Sequence, residues 1–253
     1  MKRSEYGLTT DQVDRYHDDG WAGPFTLISE EEMADVRRKI DDEILEPGKK
    51  QGLPESKYFD NQHLYNRCVY ELLSHPNLVE KTASILGPHL VLWRTNFQIK
   101  APLSEQGDWD TEIPWHQDCA YYQISPNVNL SAWIAVDETT RENGCMQVIS
   151  GSHKRLYPHI TTKGLHRFSK HADPASFDAG KAVNIELKAG QFAFFNESTL
   201  HYSPPNRSEK RRFGITPRIT VPFVKVSRRE SLNVLMLKGE DYMGAYNVVD
   251  PPE

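Results

Sequence analysis

The sequence predicts an all-β core of antiparallel strands, arranged as a sandwich or a barrel and preceded by helices. Three observations support this fold class. Helix start and stop signals occupy residues 1–89, apolar and polar residues begin to alternate at Leu90, and short strand candidates separated by turn-forming residues follow. Many short strands after a helical preface are typical of sandwich and barrel architectures.

The helical preface is predicted from capping signals. Thr9 with Gln12 and Ser29 with Glu32 each form a capping box, the second just before "MADVRRKIDDEIL". The following segment "EPGKKQGLPESKYFDN" predicts an exposed loop, because it is rich in Pro, Gly and Lys. Two more helices are predicted from "LYNRCVYELLSH" and "PNLVEKTASILG", the latter with Pro76 at its start and Gly87 past its end.

The strand candidates begin at "LVLWRTNFQIK", which alternates with a period of two and has one apolar and one mostly polar face. The others are "NLSAWIAV", "GCMQVISG", "VNIEL", "QFAFFN" and "FGITPRITVPFV". Turn-forming stretches such as "ENG", "KAG" and "PPNRSEK" separate several of them, as expected for antiparallel connections.

Length and composition bound the class of protein. A chain of 253 residues fits a single domain over 1–253, with a helical preface at 1–89, a core at 90–225 and a C-terminal tail at 226–253. The net charge of −5 predicts no nucleic-acid partner. The chain has neither a signal-peptide pattern nor a long apolar run, so we expect no membrane partner and a cytoplasmic location. Three scattered cysteines predict free thiols.

The stretch "IPWHQDCAYY" carries the first candidate ligands of a metal. His116 and Asp118 are two positions apart, so on a strand they would project from the same face and could bind one ion. His201, after the strand candidate "QFAFFN", is the best third ligand. Two histidines and one carboxylate on one face of a metal are typical of non-haem Fe(II) oxygenases. By itself, the H-x-D pair fits a surface ion pair equally well.

Two residues downstream of His201 strengthen the metal hypothesis. Ser203 follows in an H-x-S pattern, and Arg212 begins the next strand candidate, from which a hairpin could bring it back beside the metal. A guanidinium there could bind the far carboxylate of a dicarboxylic cosubstrate through two parallel hydrogen bonds. The alternative is that Arg212 belongs to a solvated basic cluster with Lys210 and Arg211.

With these motifs, the chain resembles the phytanoyl-CoA dioxygenase family of Fe(II)/2-oxoglutarate oxygenases. More narrowly, it resembles the branch of that family that contains the syringomycin-type aliphatic halogenases. The segments that carry the likeness are "LTTDQVDRYHDDGWAGPFTLISEEEM", "ILGPHLVLWRTNFQIKAP", "NGCMQVISGSHK", "LKAGQFAFFNESTLHYSPPN" and "RRFGITPRITVPFV".

The resemblance implies a double-stranded β-helix, or cupin-like jelly roll, with the N-terminal helices packed outside. It implies Fe(II) bound by His116, Asp118 and His201, with 2-oxoglutarate as cosubstrate and O2 as oxidant. The C5 carboxylate of 2-oxoglutarate would meet Arg212. Further cosubstrate contacts implied by the resemblance are Ser131, Trp133, Ser203 and Gln98.

One departure from the halogenases bears on the reaction. They have a small residue where this chain has Asp118, and the small residue frees a coordination position for chloride. The carboxylate therefore predicts a hydroxylase acting on an unactivated carbon of a small metabolite, with a halogenase, a desaturase or a cyclase as alternatives. A metal-dependent hydrolase or isomerase would have no use for Arg212. A cupin-like metal-binding sensor is the non-enzymatic alternative.

The substrate is the least constrained part of the hypothesis. The family resemblance allows free amino acids, phosphonates, nucleotides, natural-product intermediates of secondary metabolism and substrates tethered to a carrier protein. We expect substrate contacts from Tyr121 and Tyr122, which follow Asp118, from Asn96 and Arg94 on the polar strand face, and from Arg218. The long segment 156–181 is predicted to be a loop near the mouth of the pocket, with His166 and Arg167 as candidate contacts for an anion, or to be merely solvated.

Overall fold

The computed structural model describes residues 4–106, 111–161, 168–226 and 232–253. His166 and Arg167 lie outside the described residues. The helices are α1 Thr10–Asp19, α2 Glu30–Ile40, α3 Glu46–Lys50, α4 Glu55–Phe59, α5 Arg67–Leu73 and α6 Pro76–Leu86. A π-helical turn, Asp41–Leu45, joins α2 to α3. Both capping boxes are present, since the side chains of Thr9 and Ser29 accept hydrogen bonds from the backbone amides of Gln12 and Glu32.

The strands are numbered in chain order. They are β1 Trp21–Thr26, β2 Leu90–Lys100, β3 Ile113–His116, β4 Ile124–Ser125, β5 Asn129–Ala135, β6 Met146–Ile149, β7 His159–Thr161, β8 Lys170–Ala172, β9 Ala182–Ile185, β10 Gln191–Asn196, β11 His201–Ser203, β12 Arg212–Thr220, β13 Lys225–Val226, β14 Asn233–Lys238 and β15 Asn247–Val248.

Two sheets form the core. The large sheet has seven strands in the order β1-β10-β5-β12-β2-β14-β15, and the small sheet has four in the order β3-β11-β6-β9. All neighbours in these sheets are antiparallel except the pair β14 and β15. This arrangement is the predicted jelly roll, because strands close in space are distant in sequence and the two sheets face each other.

One face of the large sheet packs against the helices. Met33 and Ile40 of α2, Leu73 of α5 and Leu78 of α6 share an apolar core with Leu92, Ile134, Phe194 and Ile215 of the sheet, and all eight are fully buried. Each such side chain contributes about 1.5–3 kcal/mol by leaving water. The helices therefore cover one side of the sheet, and the opposite side is left for the cavity between the sheets.

The register of β2 against β12 decides which residues face that cavity. Arg94, Asn96 and Gln98 pair with Arg218, Thr216 and Gly214. Because directly opposed residues project from the same face of a sheet, the polar side chains of β2 lie beside those of β12. The polar face of β2 is thus turned toward the interior, where Asn96, Arg218 and Arg212 are buried.

Several local predictions need correction. The expected loop 46–61 contains α3 and α4; Gly48 is buried, and a Cβ there would lie 2.6 Å from Cγ of Tyr58, so the glycine allows the two short helices to pack closely. The helical preface also contains β1, an edge strand of the large sheet, where Pro24 is tolerated.

The segments expected to be irregular also contain strands. Residues 156–181 include the hairpin of β7 and β8, and residues 226–253 include β14, which pairs with β2. Within this C-terminal tail, the amide of Val249 also donates to the carbonyl of Val234. β7 and β8 are three residues long and have few apolar residues, so they escape a pattern of period two and only their hydrogen-bonded neighbours define them. In the part of the chain that the structure describes, no helix has the length and apolar character to cross a membrane.

Candidate metal centre

Three predicted ligands converge between the ends of β3 and β11. His201 is the direct cross-strand neighbour of His116, and their ring centroids are 4.1 Å apart. Oδ1 of Asp118 lies 3.5 Å from Nε2 of His116 and 3.8 Å from Nε2 of His201. The ligand atoms of all three lie within 4.8 Å of one another, and all three side chains are buried.

Asp118 reaches this cluster from a turn, which differs from the strand predicted for it. β3 ends at His116, and Asp118 begins a short 3-10 helix, Asp118–Ala120. Gln117, between the two ligands, fixes the end of the strand: its buried amide donates to the carbonyls of Arg155 and Ser198 and accepts from the amide of Tyr157. Gln117 itself stays extended, with φ −111° and ψ 131°, so His116 and Asp118 still project from the same side of the chain, which turns only from Asp118 on.

Backbone carbonyls set the tautomer of both histidines. Nδ1 of His116 lies 2.7 Å from the carbonyl of Pro114, and Nδ1 of His201 lies 2.9 Å from the carbonyl of Thr199. Since a carbonyl only accepts, Nδ1 carries the proton in each ring and Nε2 presents its lone pair to the centre. Burial, with a smaller effect of His116, lowers the pKa of His201 to about 3, so this ring is neutral at pH 7 and ready to bind a cation.

Arg218 orients the carboxylate. Its Nη2 donates to Oδ2 of Asp118 across 3.1 Å, which leaves Oδ1 facing the histidines. Burial by itself would raise the pKa of Asp118, but Arg218 and the two imidazoles hold it well below its usual value. Two imidazoles, each with its Nδ1 bound to a backbone carbonyl, and one carboxylate oriented by Arg218 fit a ferrous ion.

A second feature of the same cavity is the guanidinium of Arg212. It is buried, with Nη2 donating to Oγ of Ser203 across 3.0 Å and Nη1 to the carbonyl of Gln98 across 3.3 Å. Its centre lies 4.8 Å from the ring of Trp133. Nε has no hydrogen-bond partner among the described residues, and burial lowers the pKa of Arg212 to about 9. A buried cation whose hydrogen-bond partners carry no negative charge fits the carboxylate of a dicarboxylic cosubstrate.

The other predicted cosubstrate contacts surround Arg212 to different degrees. Ser203, Trp133 and Gln98 line the cavity with it. Gly214, opposite Gln98 on β12, makes room for the indole, since a Cβ there would lie 2.3 Å from Cζ2 of Trp133. Ser131 is the cross-strand neighbour of Arg218; its buried hydroxyl has no hydrogen-bond partner among the described residues and is not part of the cavity lining.

The cavity has a volume of about 310 Å³. Five of the residues predicted to contact substrate line it, namely Arg94, Asn96, Tyr121, Tyr122 and Arg218. Tyr121 also packs edge-on against His116 at 5.7 Å, and its hydroxyl donates to the carbonyl of Lys170 on β8. This hydrogen bond connects β8 to the turn that carries Asp118.

Sequence reasoning missed several lining residues. One of them is Phe168, whose ring centroid lies 4.9 Å from that of His116. The other missed lining residues include Ser169, Ile113, Met146, Phe195 and Thr216. Thr216 could have been found from its alternation with Arg212 and Arg218 on β12. Phe168 could not, because only the fold of the hairpin brings it to the metal centre.

Glu197 is a further buried group that sequence reasoning missed. It is 1% exposed, and neither carboxylate oxygen has a hydrogen-bond partner among the described residues. Burial, reinforced by the charge of Asp118 and opposed by Arg218, raises the pKa of Glu197 to about 8. The side chain is therefore mostly protonated at pH 7.

Comparisons with known proteins agree with this geometry. The profile of the phytanoyl-CoA dioxygenase (PhyH) family matches residues 16–214. A probable alpha-ketoglutarate-dependent hypophosphite dioxygenase of Stutzerimonas stutzeri is 26% identical over 223 residues, which are 81% of this chain and 76% of that protein. The peroxisomal phytanoyl-CoA dioxygenase of Rattus norvegicus is 25% identical over 235 residues, which are 83% of this chain and 67% of the rat protein.

Solved structures give the same picture. The apo form of the non-heme monooxygenase ThoJ superposes with a TM-score of 0.84 at 26% identity, over 96% of this chain and 89% of that one. CytC3 with Fe(II) and alpha-ketoglutarate superposes with a TM-score of 0.71 at 22% identity, over 97% of this chain and 94% of that one, and supports the fold. From the match over residues 16–214 and the site geometry, the chain belongs to the phytanoyl-CoA dioxygenase (PhyH) family.

Proposed function

We propose that the protein is an Fe(II)- and 2-oxoglutarate-dependent dioxygenase that hydroxylates an unactivated C–H bond of a small metabolite. The observation that carries the proposal is one cavity lined by both functional groups: the cluster of His116, Asp118 and His201, and the buried guanidinium of Arg212. A metal-binding sensor needs the cluster alone. The guanidinium of Arg212 has no carboxylate partner among the described residues, and binding a dicarboxylate beside the metal would explain why it is there.

Fe(II), 2-oxoglutarate and O2 are the cofactors that the family and the ligand set support. When bound, they supply the oxidising chemistry, in which 2-oxoglutarate is converted to succinate and CO2. The balance requires one O2 for each turnover: one oxygen atom enters succinate, and the other enters the substrate as a hydroxyl group in place of hydrogen.

The side chains of this protein bind and orient these molecules. His116, Asp118 and His201 would hold iron, with their orientation set by the Pro114 carbonyl, Arg218 and the Thr199 carbonyl. Arg212 would bind the C5 carboxylate of 2-oxoglutarate through its fork of donors, with the Ser203 hydroxyl beside it. Trp133 and Gln98, which line the cavity beside Arg212, would complete the cosubstrate environment.

The apolar parts of the lining would exclude water from the reacting C–H bond. Phe168 and Tyr121 cover the His116 ring, and Phe195 packs against the His201 ring at 5.0 Å. Excluding water strengthens the electrostatic contacts in the cavity and protects reactive species from side reactions. Tyr121, Tyr122, Asn96, Arg94 and Arg218 would contact the substrate.

The cavity of about 310 Å³ supports a small substrate, because ligand pockets of this kind begin near 300 Å³. The relatives are named for very different molecules, phytanoyl-CoA in the rat protein and hypophosphite in the Stutzerimonas protein. Their names therefore do not choose a substrate for this chain.

The test is a substrate screen on the protein loaded with Fe(II) and 2-oxoglutarate under isotopically labelled O2. We expect O2-dependent succinate formation above the uncoupled background and a product that gains one labelled oxygen. Iron binding without O2-dependent succinate would indicate a sensor instead. Running the assay with chloride or bromide separates the alternatives: a halogenated product would identify a halogenase, and an oxidised product without labelled oxygen would indicate a desaturase or cyclase.

A further inference from the structure

The outer wall of the cavity carries a second cation, Arg94. It lies on β2, and its side chain is 20% exposed, whereas Arg212 is fully buried. Arg94 therefore stands nearer to solvent than Arg212 does. Its Nε donates to Oδ1 of Asn96 across 3.1 Å, and its guanidinium centre lies 5.3 Å from the ring of Tyr122. These two contacts fix the orientation of the guanidinium.

Asn96 joins this cation to Arg218. Its Oδ1 also accepts a hydrogen bond from Nη1 of Arg218 across 2.6 Å, so two guanidinium groups meet at one amide oxygen. Both also contact Tyr122, with the Arg218 centre 5.0 Å from the same ring. Two positive charges this close repel each other unless nearby anions balance them.

The anions near this pair are Asp118 and Asp60. Asp118 forms an ion pair with Arg218 and is also one of the three candidate metal ligands, so a bound metal ion would share its negative charge with Arg218. Oδ2 of Asp60 lies 3.6 Å from Nη2 of Arg94, beyond hydrogen-bond distance, and Asp60 is 34% exposed. Its other oxygen accepts from Nδ2 of Asn96 across 2.5 Å. The ion pair of Arg94 with Asp60 is therefore long and partly solvated, and such pairs contribute little.

Arg94 lacks a close anionic partner even when iron and 2-oxoglutarate are bound. The positive charges of Fe(II) and Arg212 are matched by Asp118 and the two carboxylates of 2-oxoglutarate. Arg218 keeps its hydrogen bond to Asp118 across 3.1 Å. Arg94, in contrast, has no carboxylate at hydrogen-bond distance among the described residues, since Asp60 lies 3.6 Å away.

We infer that the substrate carries one acidic oxyanion group, a carboxylate or a phosphorus oxyanion, which Arg94 binds at the outer end of the cavity. This inference rests on the proposed function and specifies its substrate class. The planar guanidinium, held at one edge by Asn96 and Asp60, offers its remaining donors to two oxygens of such a group. The ring of Tyr122 supports the guanidinium of Arg94 by a cation–π contact.

The experiment uses the full chain loaded with Mn(II), which does not turn over, and saturating 2-oxoglutarate. Saturation is essential because it occupies Arg212 and prevents the probes from binding there. Three probes with the same five-carbon alkyl chain are titrated by calorimetry: hexanoate, pentylphosphonate and neutral hexanamide. We expect at least one anionic probe to bind about ten- to a hundredfold more tightly than the amide. The ratio between the two anions tells a carboxylate from a phosphorus oxyanion.

Two variants and a control locate the effect. Arg94→Gln should abolish the preference for anions, whereas Arg38→Gln, which removes an exposed arginine paired with Asp35 on α2, should retain it. Asp60→Asn should strengthen the preference, because the competing carboxylate is lost while its hydrogen bond with Asn96 can persist. This variant keeps the inference testable if Arg94→Gln does not fold.

Three results would overturn the inference: no preference for anions in the wild type, a preference that survives Arg94→Gln, or an unchanged preference in Asp60→Asn. Failure of the proposed function is recognised separately and earlier. In that case 2-oxoglutarate would show no metal-dependent binding before any probe is added.

Discussion

Arg218 and Asp118 form a buried hydrogen bond in which Nη2 of the guanidinium donates to Oδ2 of the carboxylate across 3.1 Å. Arg218 lies on β12, the central strand of the large sheet, and Asp118 lies in the turn after β3 of the small sheet. The bond leaves Oδ1 as the oxygen that faces both imidazoles. A residue of the large sheet thus positions a ligand of the metal centre.

The first prediction concerns this bond. Arg218→Met should weaken Mn(II) or Fe(II) binding about ten- to a hundredfold, because the partner that orients a metal ligand typically contributes that much to affinity. Calorimetric titration of the metal measures it. Arg211→Met is the matched control: it also removes one positive charge, but its ion pairs with Asp41 and Asp137 lie away from the metal ligands. Equal affinities in all three proteins would contradict the role of Arg218.

The second prediction concerns Arg212. Arg212→Met should weaken 2-oxoglutarate binding by about a hundredfold or more, since it leaves a carboxylate without its charged partner. The same variant should melt at a temperature equal to or above that of the wild type when no cosubstrate is present, because a buried charge without a carboxylate partner destabilises the fold. Calorimetric titration and thermal melting give the two values. Arg212→Lys keeps the charge but loses the fork, and it should recover only part of the affinity.

The third prediction concerns the close contact of Gly214 with Trp133. Gly214→Ala would place a methyl group 2.3 Å from Cζ2 of the indole, so the ring must move away from its position beside Arg212. We expect overpacking to lower the free energy of unfolding by about 1–3 kcal/mol. Denaturant unfolding and the KM for 2-oxoglutarate measure the two effects. Unchanged stability together with an unchanged KM would show that Trp133 is not held there.

The fourth prediction concerns acid stability and His63. This side chain is fully buried, its Nδ1 lies 2.8 Å from Oγ1 of Thr95, and burial lowers its pKa to about 3 from the ordinary 6.5. Between these values the unfolded chain takes up a proton that the folded chain does not, so the free energy of unfolding falls as the pH falls. The loss amounts to about 1.4 kcal/mol per pH unit for one histidine.

His63→Asn should therefore show a shallower loss of stability with acid than the wild type over this window. Denaturant unfolding at several pH values gives the difference, and His201 does not enter it because both proteins retain that residue. Parallel pH dependences of the two proteins would mean that His63 is protonated in the folded state.

The site was predictable to the extent that its residues stand in local patterns. The H-x-D spacing, the H-x-S pattern and an arginine at the start of a strand identified His116, Asp118, His201, Ser203 and Arg212. Each pattern is a spacing along the chain, and antiparallel pairing of β3 with β11 turns it into proximity. The resemblance to a family then supplied the jelly roll, because period-two strands alone left a sandwich and a barrel equally open.

The sequence by itself determined the capped helices, the strands of the core and three candidate metal ligands, because these depend on neighbours within a few positions. Only the tertiary structure decided that Asp118 stands in a turn, that Arg218 donates a hydrogen bond to it, and that Phe168 covers His116. It also decided that Glu197 is buried, which raises its pKa. These contacts join residues distant in sequence, and their energies depend on burial and on opposing charges, neither of which is encoded in the spacing of residues along one strand.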